Sequence, residues 1–161
     1  MLRKVAMAVL VLVGVLLAWQ TLPAIPPSFD IPIERLRDEA RRGTLPHLTA
    51  PLPDWLPLPE SGRVSTAGAY PPQPPYGAAV LITLVIAETP EEFLAAYSAR
   101  LTAAAYQVRR VAPPFDFTFA TDGALDAYDH ATGRYVYCVV RHTRAARFAQ
   151  ITFWEPPAPR L

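Results

Sequence analysis

The stretch that decides the fold is Gly77–Val111, "GAAVLITLVIAETPEEFLAAYSARLTAAAYQVRRV". It opens with a continuous aliphatic and β-branched run from Ala79 to Ala87, which predicts a central β-strand. Thr89 then suits a helix N-cap, because the proline after it fits the first helical position and Glu92 is spaced to bond back to the cap. A strand followed directly by a helix is therefore predicted here.

The predicted helix spans about Pro90 to Ala104 and has one apolar face. Phe93, Tyr97, Leu101 and Ala104 recur at helical spacing, so we expect them to face the sheet. The residues from Tyr106 to Ala112 read as the next strand, which two prolines end.

The remainder of the chain alternates apolar and polar residues, as half-buried strands do. The segments are "FDFTFAT" and "ALDAYDH", with Gly123 in the turn between them, then "GRYVYCVVRH" and "RFAQITFW". Together these patterns predict an α+β fold. We expect an antiparallel sheet of about five to six strands with one main helix packed on one face, in the order β-α-β-β-β-β.

Alternation also assigns the two faces of the predicted sheet. The residues expected to point at the helix are Val136, Cys138, Val140, Ala149, Ile151 and Phe153. The opposite face is expected to carry Tyr128, His130, Tyr135, Tyr137, Arg141, Gln150 and Thr152. Because Cys138 is the only cysteine, no intramolecular disulfide can form, and its strand neighbours predict a small buried core residue.

Residues 1–24 form a signal peptide or a retained transmembrane anchor. Arg3 and Lys4 precede an uninterrupted apolar run from Val5 to Trp19, which is the layout of an export signal. The charge distribution keeps the N-terminus in the cytoplasm and sends the rest across the membrane. No A-x-A cleavage site follows the run, so we favour a single-pass anchor in the cell membrane over cleavage to a periplasmic or secreted product.

Residues 25–62 read as a short helix and a Pro-rich arm, ahead of an α+β domain at 63–161. Ile33, Leu36 and Ala40 mark one face of the helix, and Gly43 suits its end. A spacer helix is the favoured interpretation, with docking on the domain or on a partner as the alternative. The prolines that follow impose extended backbone, and we expect this arm to lie on the domain and bury Trp55.

The segment "WLPLPESGRV", followed by a strand and then "TPEEFLAAYSARLTAAAYQV", resembles a small helix-on-antiparallel-sheet domain of uncharacterised exported bacterial proteins. The resemblance covers roughly Trp55 to Trp154 and implies fold and export, with no activity to transfer. Ala105–Tyr106 stands where that pattern has Gly-Trp, in which the glycine provides a left-handed helix cap.

No constellation typical of catalysis is present. The sequence has no G-x-S-x-G, no metal-binding spacing and no Gly-rich phosphate loop, so we expect a non-enzyme without cofactor or metal. Asp126, Asp129, His130 and His142 would form a site only if they converged at the sheet edge; a solvated turn is favoured. With a net charge of +1 there is no basic footprint for nucleic acid.

The aromatic face carries the candidate binding residues Tyr128, Tyr135, Tyr137 and Arg141. Cover by the Pro-rich arm is favoured for this face, because large apolar patches are seldom left bare. The leading hypothesis is a non-catalytic, membrane-tethered extracytoplasmic module that binds or positions another envelope component, such as an envelope protein. The alternative is a secreted or periplasmic domain that binds a small ligand or saccharide.

Overall fold

The computed structural model describes residues 30–45, 48, 52–70, 77–112 and 120–156. The predicted leader or anchor at 1–24, most of "FDFTFAT" and several of the proline clusters lie outside the described residues. Within the described ranges, neither helix has the length and hydrophobicity that a membrane crossing requires.

Seven antiparallel strands form a single sheet, which confirms the α+β prediction. In chain order the elements are β1 Ile31–Pro32, a 3-10 turn Ile33–Arg35, α1 Leu36–Arg41, β2 Arg63–Tyr70, β3 Ala79–Ile86, α2 Pro90–Ala103, β4 Gln107–Val111, β5 Ala120–Asp129, β6 Arg134–His142 and β7 Arg147–Trp154. Across the sheet the strand order is β1-β2-β3-β7-β6-β5-β4. The predicted order β-α-β-β-β-β corresponds to β3, α2, β4, β5, β6 and β7 along the chain. The expected number of strands was too low, because β1 and β2 lack an apolar run that would reveal them.

Helix α2 is built as its sequence predicts. The Thr89 hydroxyl accepts from the backbone N–H of Glu92 at 3.3 Å, while the Glu92 carboxylate accepts from the N–H of Thr89 at 3.0 Å. The helix buries Phe93, Tyr97 and Leu101 against the sheet, and also Leu94. The placement of Ala104 on this face was wrong: the helix ends one residue earlier, and Ala104 is an exposed C-cap.

Gly123 does not lie in a turn, as the sequence suggested. It sits within β5, next to an irregularity in the pairing with β6 between Thr121 and Gly123. A Cβ atom at Gly123 would lie 2.9 Å from the Leu94 side chain, closer than real contacts allow. A side chain at this position would therefore displace the end of the Leu94 side chain on α2, and the alternation predicts nothing about that contact.

The short helix docks on the domain, so the spacer interpretation was wrong. Its predicted apolar residues Ile33, Leu36 and Ala40 are all buried. Arg37 donates from its guanidinium to the backbone carbonyls of Pro53 at 2.9 Å and Leu56 at 2.6 Å, which joins the helix to the Pro-rich arm.

The described part of the Pro-rich arm packs on the same side of the sheet as α2. Leu52, Leu56 and Leu58 belong to the main hydrophobic core. Trp55 is half-buried, as expected: its ring meets Phe153 edge to face at 6.4 Å, and its Nε1 donates to Glu155 at 2.8 Å. Cover of the aromatic face by this part of the arm was therefore a wrong prediction.

The width of the sheet explains this arrangement. Seven strands span roughly 29 Å, whereas one helix covers only about 10 Å. Helix α2 lies against β4 and β5. The remaining strands on that side need other apolar cover, and the arm and α1 supply it.

Candidate binding surface on the open sheet face

The sheet face opposite α2, here called the open face, carries the predicted aromatic residues. As alternation predicted, the helix-facing residues Val136, Cys138, Val140, Ala149, Ile151 and Phe153 are fully buried. The large hydrophobic side chains that stand out as exposed among the described residues are Tyr70, Val85 and Tyr128. Strand register puts all three on the open face. In the described part of the chain, the exposed large hydrophobic side chains thus lie on one side of the sheet.

An aromatic row crosses the open face at one end of the strands. Tyr128 on β5 is directly opposite Tyr135 on β6, which is directly opposite Trp154 on β7. The rings of Tyr135 and Trp154 lie 5.3 Å apart. The row continues through Ala79 to Tyr70, which is 52% exposed on β2. These rings lie in one row because of how the strands pair, which is a property of the tertiary structure.

A partly buried ion pair lies in the next row of the sheet. Asp126 on β5 is opposite Arg109 on β4, and the guanidinium donates through Nε at 2.7 Å and through Nη2 at 2.7 Å to its two carboxylate oxygens. The carboxylate side chain is 10% exposed, whereas the Arg109 side chain is 76% exposed. The hydrogen bond to Asp126 raises the pKa of Arg109, so this guanidinium stays charged at neutral pH.

Tyr135 stands beside this ion pair. Its hydroxyl lies 3.5 Å from Asp126, at the outer limit of a hydrogen bond. Burial, followed by the nearby negative charge of Asp126, raises the pKa of Tyr135. The phenol therefore stays neutral and acts as a donor rather than as a base.

These residues enclose a pocket of about 380 Å³ at the β4–β5 edge of the open face, here called the edge pocket. The side chains that form it are Gln107, Arg109, Asp126, Tyr128, His130 and Tyr135. Gln107 Oε1 and His130 Nε2 are 2.8 Å apart, and the His130 ring meets the Tyr128 ring edge to face at 4.7 Å. One aromatic ring is thus surrounded by groups that donate and accept hydrogen bonds.

The four predicted binding residues share the open face but do not form one cluster. Tyr128 and Tyr135 line the edge pocket, and Tyr137 lies opposite Asp126 in the next row. Arg141 is six residues from Tyr135 along β6, or about 20 Å. It lines a separate pocket of about 270 Å³ with Ser65, Thr83, Phe148 and Gln150.

The four acidic and histidine residues do not form one cluster: Asp126 and His130 both line the edge pocket, whereas Asp129 and His142 lie elsewhere. Asp129 accepts from the backbone of Ala131 at 2.9 Å within the β5–β6 turn. His142, at the other end of β6, is 2.8 Å from Asp122. In the described ranges no group of three or more His, Cys, Asp or Glu residues is arranged to hold a metal ion. Cys138 is buried, and burial raises the pKa of its thiol well above the usual range.

Sequence reasoning missed several residues of this surface. Gln107 and Arg109 were treated as ordinary residues of a strand, and Trp154 and Tyr70 were not assigned to the face. The alternation of β7 would have placed Trp154 beside Thr152. Nothing in the sequence pairs Arg109 with Asp126, because they belong to strands whose register the chain does not reveal.

No protein family, curated protein or solved structure shows significant similarity to this chain. The candidate functional residues of this chain are therefore those that the geometry of the open face brings together.

Proposed function

We propose that the protein is a non-catalytic, membrane-tethered extracytoplasmic module that binds an envelope component through its open face. The observation that carries the proposal is the aromatic row with Tyr128 40% exposed at its end. Contiguous exposed aromatic surface rimmed by polar groups is typical of interaction sites. Tyrosine and tryptophan supply large contact areas at low entropic cost.

The position of the apolar cover supports the same proposal. The arm, α1 and α2 all pack on the opposite side of the sheet, where they complete the core. A sheet whose second face needed only solvent contact would carry small polar residues there. This face instead carries Tyr128, Tyr135 and Trp154 in one row.

The tether rests on the sequence of residues 1–24, with its basic start and its apolar run that lacks a cleavage motif. The test is the intact mass of the native protein from fractionated cells. Full-length mass in the membrane fraction, with the domain digested by protease added outside, is the expected result. A soluble product that begins near Ile25 would overturn the tether and favour a diffusible domain.

The binding face is tested separately by photo-cross-linking in cells. A photoreactive residue at Tyr128 is compared with one at Ala95, which is exposed on α2 on the other side of the sheet. We expect an envelope adduct from position 128 and none from position 95. Equal yields from both positions, or an adduct from position 95 alone, would contradict the use of the open face.

A further inference from the structure

We propose that the edge pocket binds a neutral saccharide, with the ring of Tyr128 as its stacking surface and the polar groups around that ring as its hydrogen-bonding partners. The inference rests on the proposed use of the open face for binding, and it names the chemical class of the ligand. Three features of the pocket lead to it: an exposed ring, amide and imidazole groups that form hydrogen bonds, and an arginine and an aspartate that are already paired with each other.

The ring of Tyr128 is available and held in place. Its side chain is more exposed than that of Tyr135, the other tyrosine that lines the edge pocket, and the His130 ring packs against it at 82° to its plane. The face of an aromatic ring carries a partial negative charge, which attracts the weakly positive C–H groups of a pyranose. A ring fixed before binding loses little entropy when a sugar stacks on it.

The amide of Gln107 and the imidazole of His130 are suited to hydrogen bonds with sugar hydroxyl groups. The Gln107 Oε1 atom lies 2.8 Å from His130 Nε2, and the amide nitrogen of Gln107 carries two N–H donors. The imidazole of His130 has a second ring nitrogen in addition to the one that meets Gln107. Each sugar hydroxyl both donates and accepts, so planar amide and imidazole groups near a stacking ring suit it.

The charges of the edge pocket favour a neutral ligand over an ion. Arg109 and Asp126 are joined by short hydrogen bonds to both carboxylate oxygens. An anion would have to displace Asp126 from the guanidinium, and a cation would have to displace Arg109 from the carboxylate. A polyol needs neither exchange, because it can add hydrogen bonds to a pair whose charges already cancel.

The size of the pocket fits this class. A volume of about 380 Å³ lies at the lower end of small-ligand pockets, which run from about 300 to 1,000 Å³. The pocket lies at the edge of the sheet beside β4, the last strand in the order, so a short portion of a longer glycan can enter from that side.

The test is titration calorimetry of the full chain in phosphatidylcholine nanodiscs with maltotriose and with triacetylchitotriose. Sugar-headed detergents are avoided because they would compete. Tyr128→Ala should weaken the affinity for the bound saccharide by about tenfold or more, whereas Tyr128→Phe should keep it. The control is Arg144→Ala, an exposed residue in the loop between β6 and β7, outside the aromatic row and the edge pocket, which should leave affinity unchanged. Thermal unfolding of each variant checks that the fold is retained.

Absence of binding by both neutral probes would overturn the inference, as would equal losses of affinity in Tyr128→Ala and Arg144→Ala. Tighter binding of trigalacturonate than of either neutral probe would also overturn it, since the argument from cancelled charge would then be wrong. Cross-linked adducts from position 128 without any saccharide binding would overturn the saccharide proposal and leave the proposed use of the open face standing. If the native chain proved to be cleaved and soluble but still bound a saccharide, only the proposed membrane tether would be overturned.

Discussion

Replacement of Ala105, which follows the C-cap of α2, by glycine should increase the stability of the protein. Ala105 has a φ of +67°, in the left-handed region where a side chain is strained. It is held there by two hydrogen bonds: its own N–H donates to Thr102 at 3.0 Å, and the N–H of Tyr106 donates to Leu101 at 3.0 Å. This is the Schellman arrangement, in which glycine is the usual residue.

The expected gain follows from two opposing contributions. An L-residue in the left-handed conformation costs about 1–2 kcal/mol, which Ala105→Gly removes. Glycine adds about 0.5–1 kcal/mol of conformational freedom to the unfolded chain. The net effect is a rise of about 0.5–1 kcal/mol in the free energy of unfolding, or about 2–5 °C in Tm.

The assay is urea unfolding of the full chain in nanodiscs, followed by the fluorescence of Trp55 and Trp154. The matched control is Ala103→Gly, the same substitution at the last residue of α2. Because Ala103 is helical, this variant should lower the free energy of unfolding by about 0.5–1 kcal/mol. The two substitutions, two residues apart, are therefore expected to change the free energy of unfolding in opposite directions. Equal destabilisation by both substitutions would refute the left-handed geometry at Ala105.

Four further outcomes are expected from buried and capping groups. Gly123→Ala should cost about 1 kcal/mol in urea unfolding, because its Cβ would lie 2.9 Å from the end of the buried Leu94 side chain, which would have to shift; the cost should be smaller when the substitution is made in a Leu94→Ala background. Tyr97→Phe should raise the unfolding free energy by about 1 kcal/mol, since the buried hydroxyl has no partner among the described residues; a loss would contradict this. A maleimide should label Cys138 only when the chain unfolds, because the thiol is buried and its pKa is raised; labelling under native conditions would argue against that burial. Hydrogen bonds in the capping box lower the pKa of Glu92, so this stabilisation is present above its unfolded value of 4.5 and is lost as pH falls; the difference in urea midpoint between the wild type and Glu92→Gln should shrink on acidification.

Local patterns predicted the elements whose sequence carries a complete signal. The run of β3, the capping box at Thr89 and the buried stripe of α2 each depend on residues close together in the chain. β2 escaped prediction, because "RVSTAGAY" is stabilised by its register against β3 rather than by its own composition. Gly123 was misread for the same reason: its role depends on the approach of Leu94 from another element.

The candidate site divides in the same way. Alternation along β5 and β6 is enough to put Tyr128, Tyr135 and Tyr137 on one face. Which residues join them depends on strand register, and the chain does not encode register locally. The placement of Arg109 against Asp126, and of Arg141 far from Tyr135, therefore needed the assembled sheet.

By itself, the sequence determined the α+β class, the central strand and helix, the two faces of the later strands and the buried state of Cys138. Only the tertiary structure decided which face the Pro-rich arm would cover. The physical reason is area: α2 alone is too narrow for a seven-stranded sheet, so the arm and α1 complete the core beside it. Their presence on that side leaves Tyr128 and its neighbours on the other.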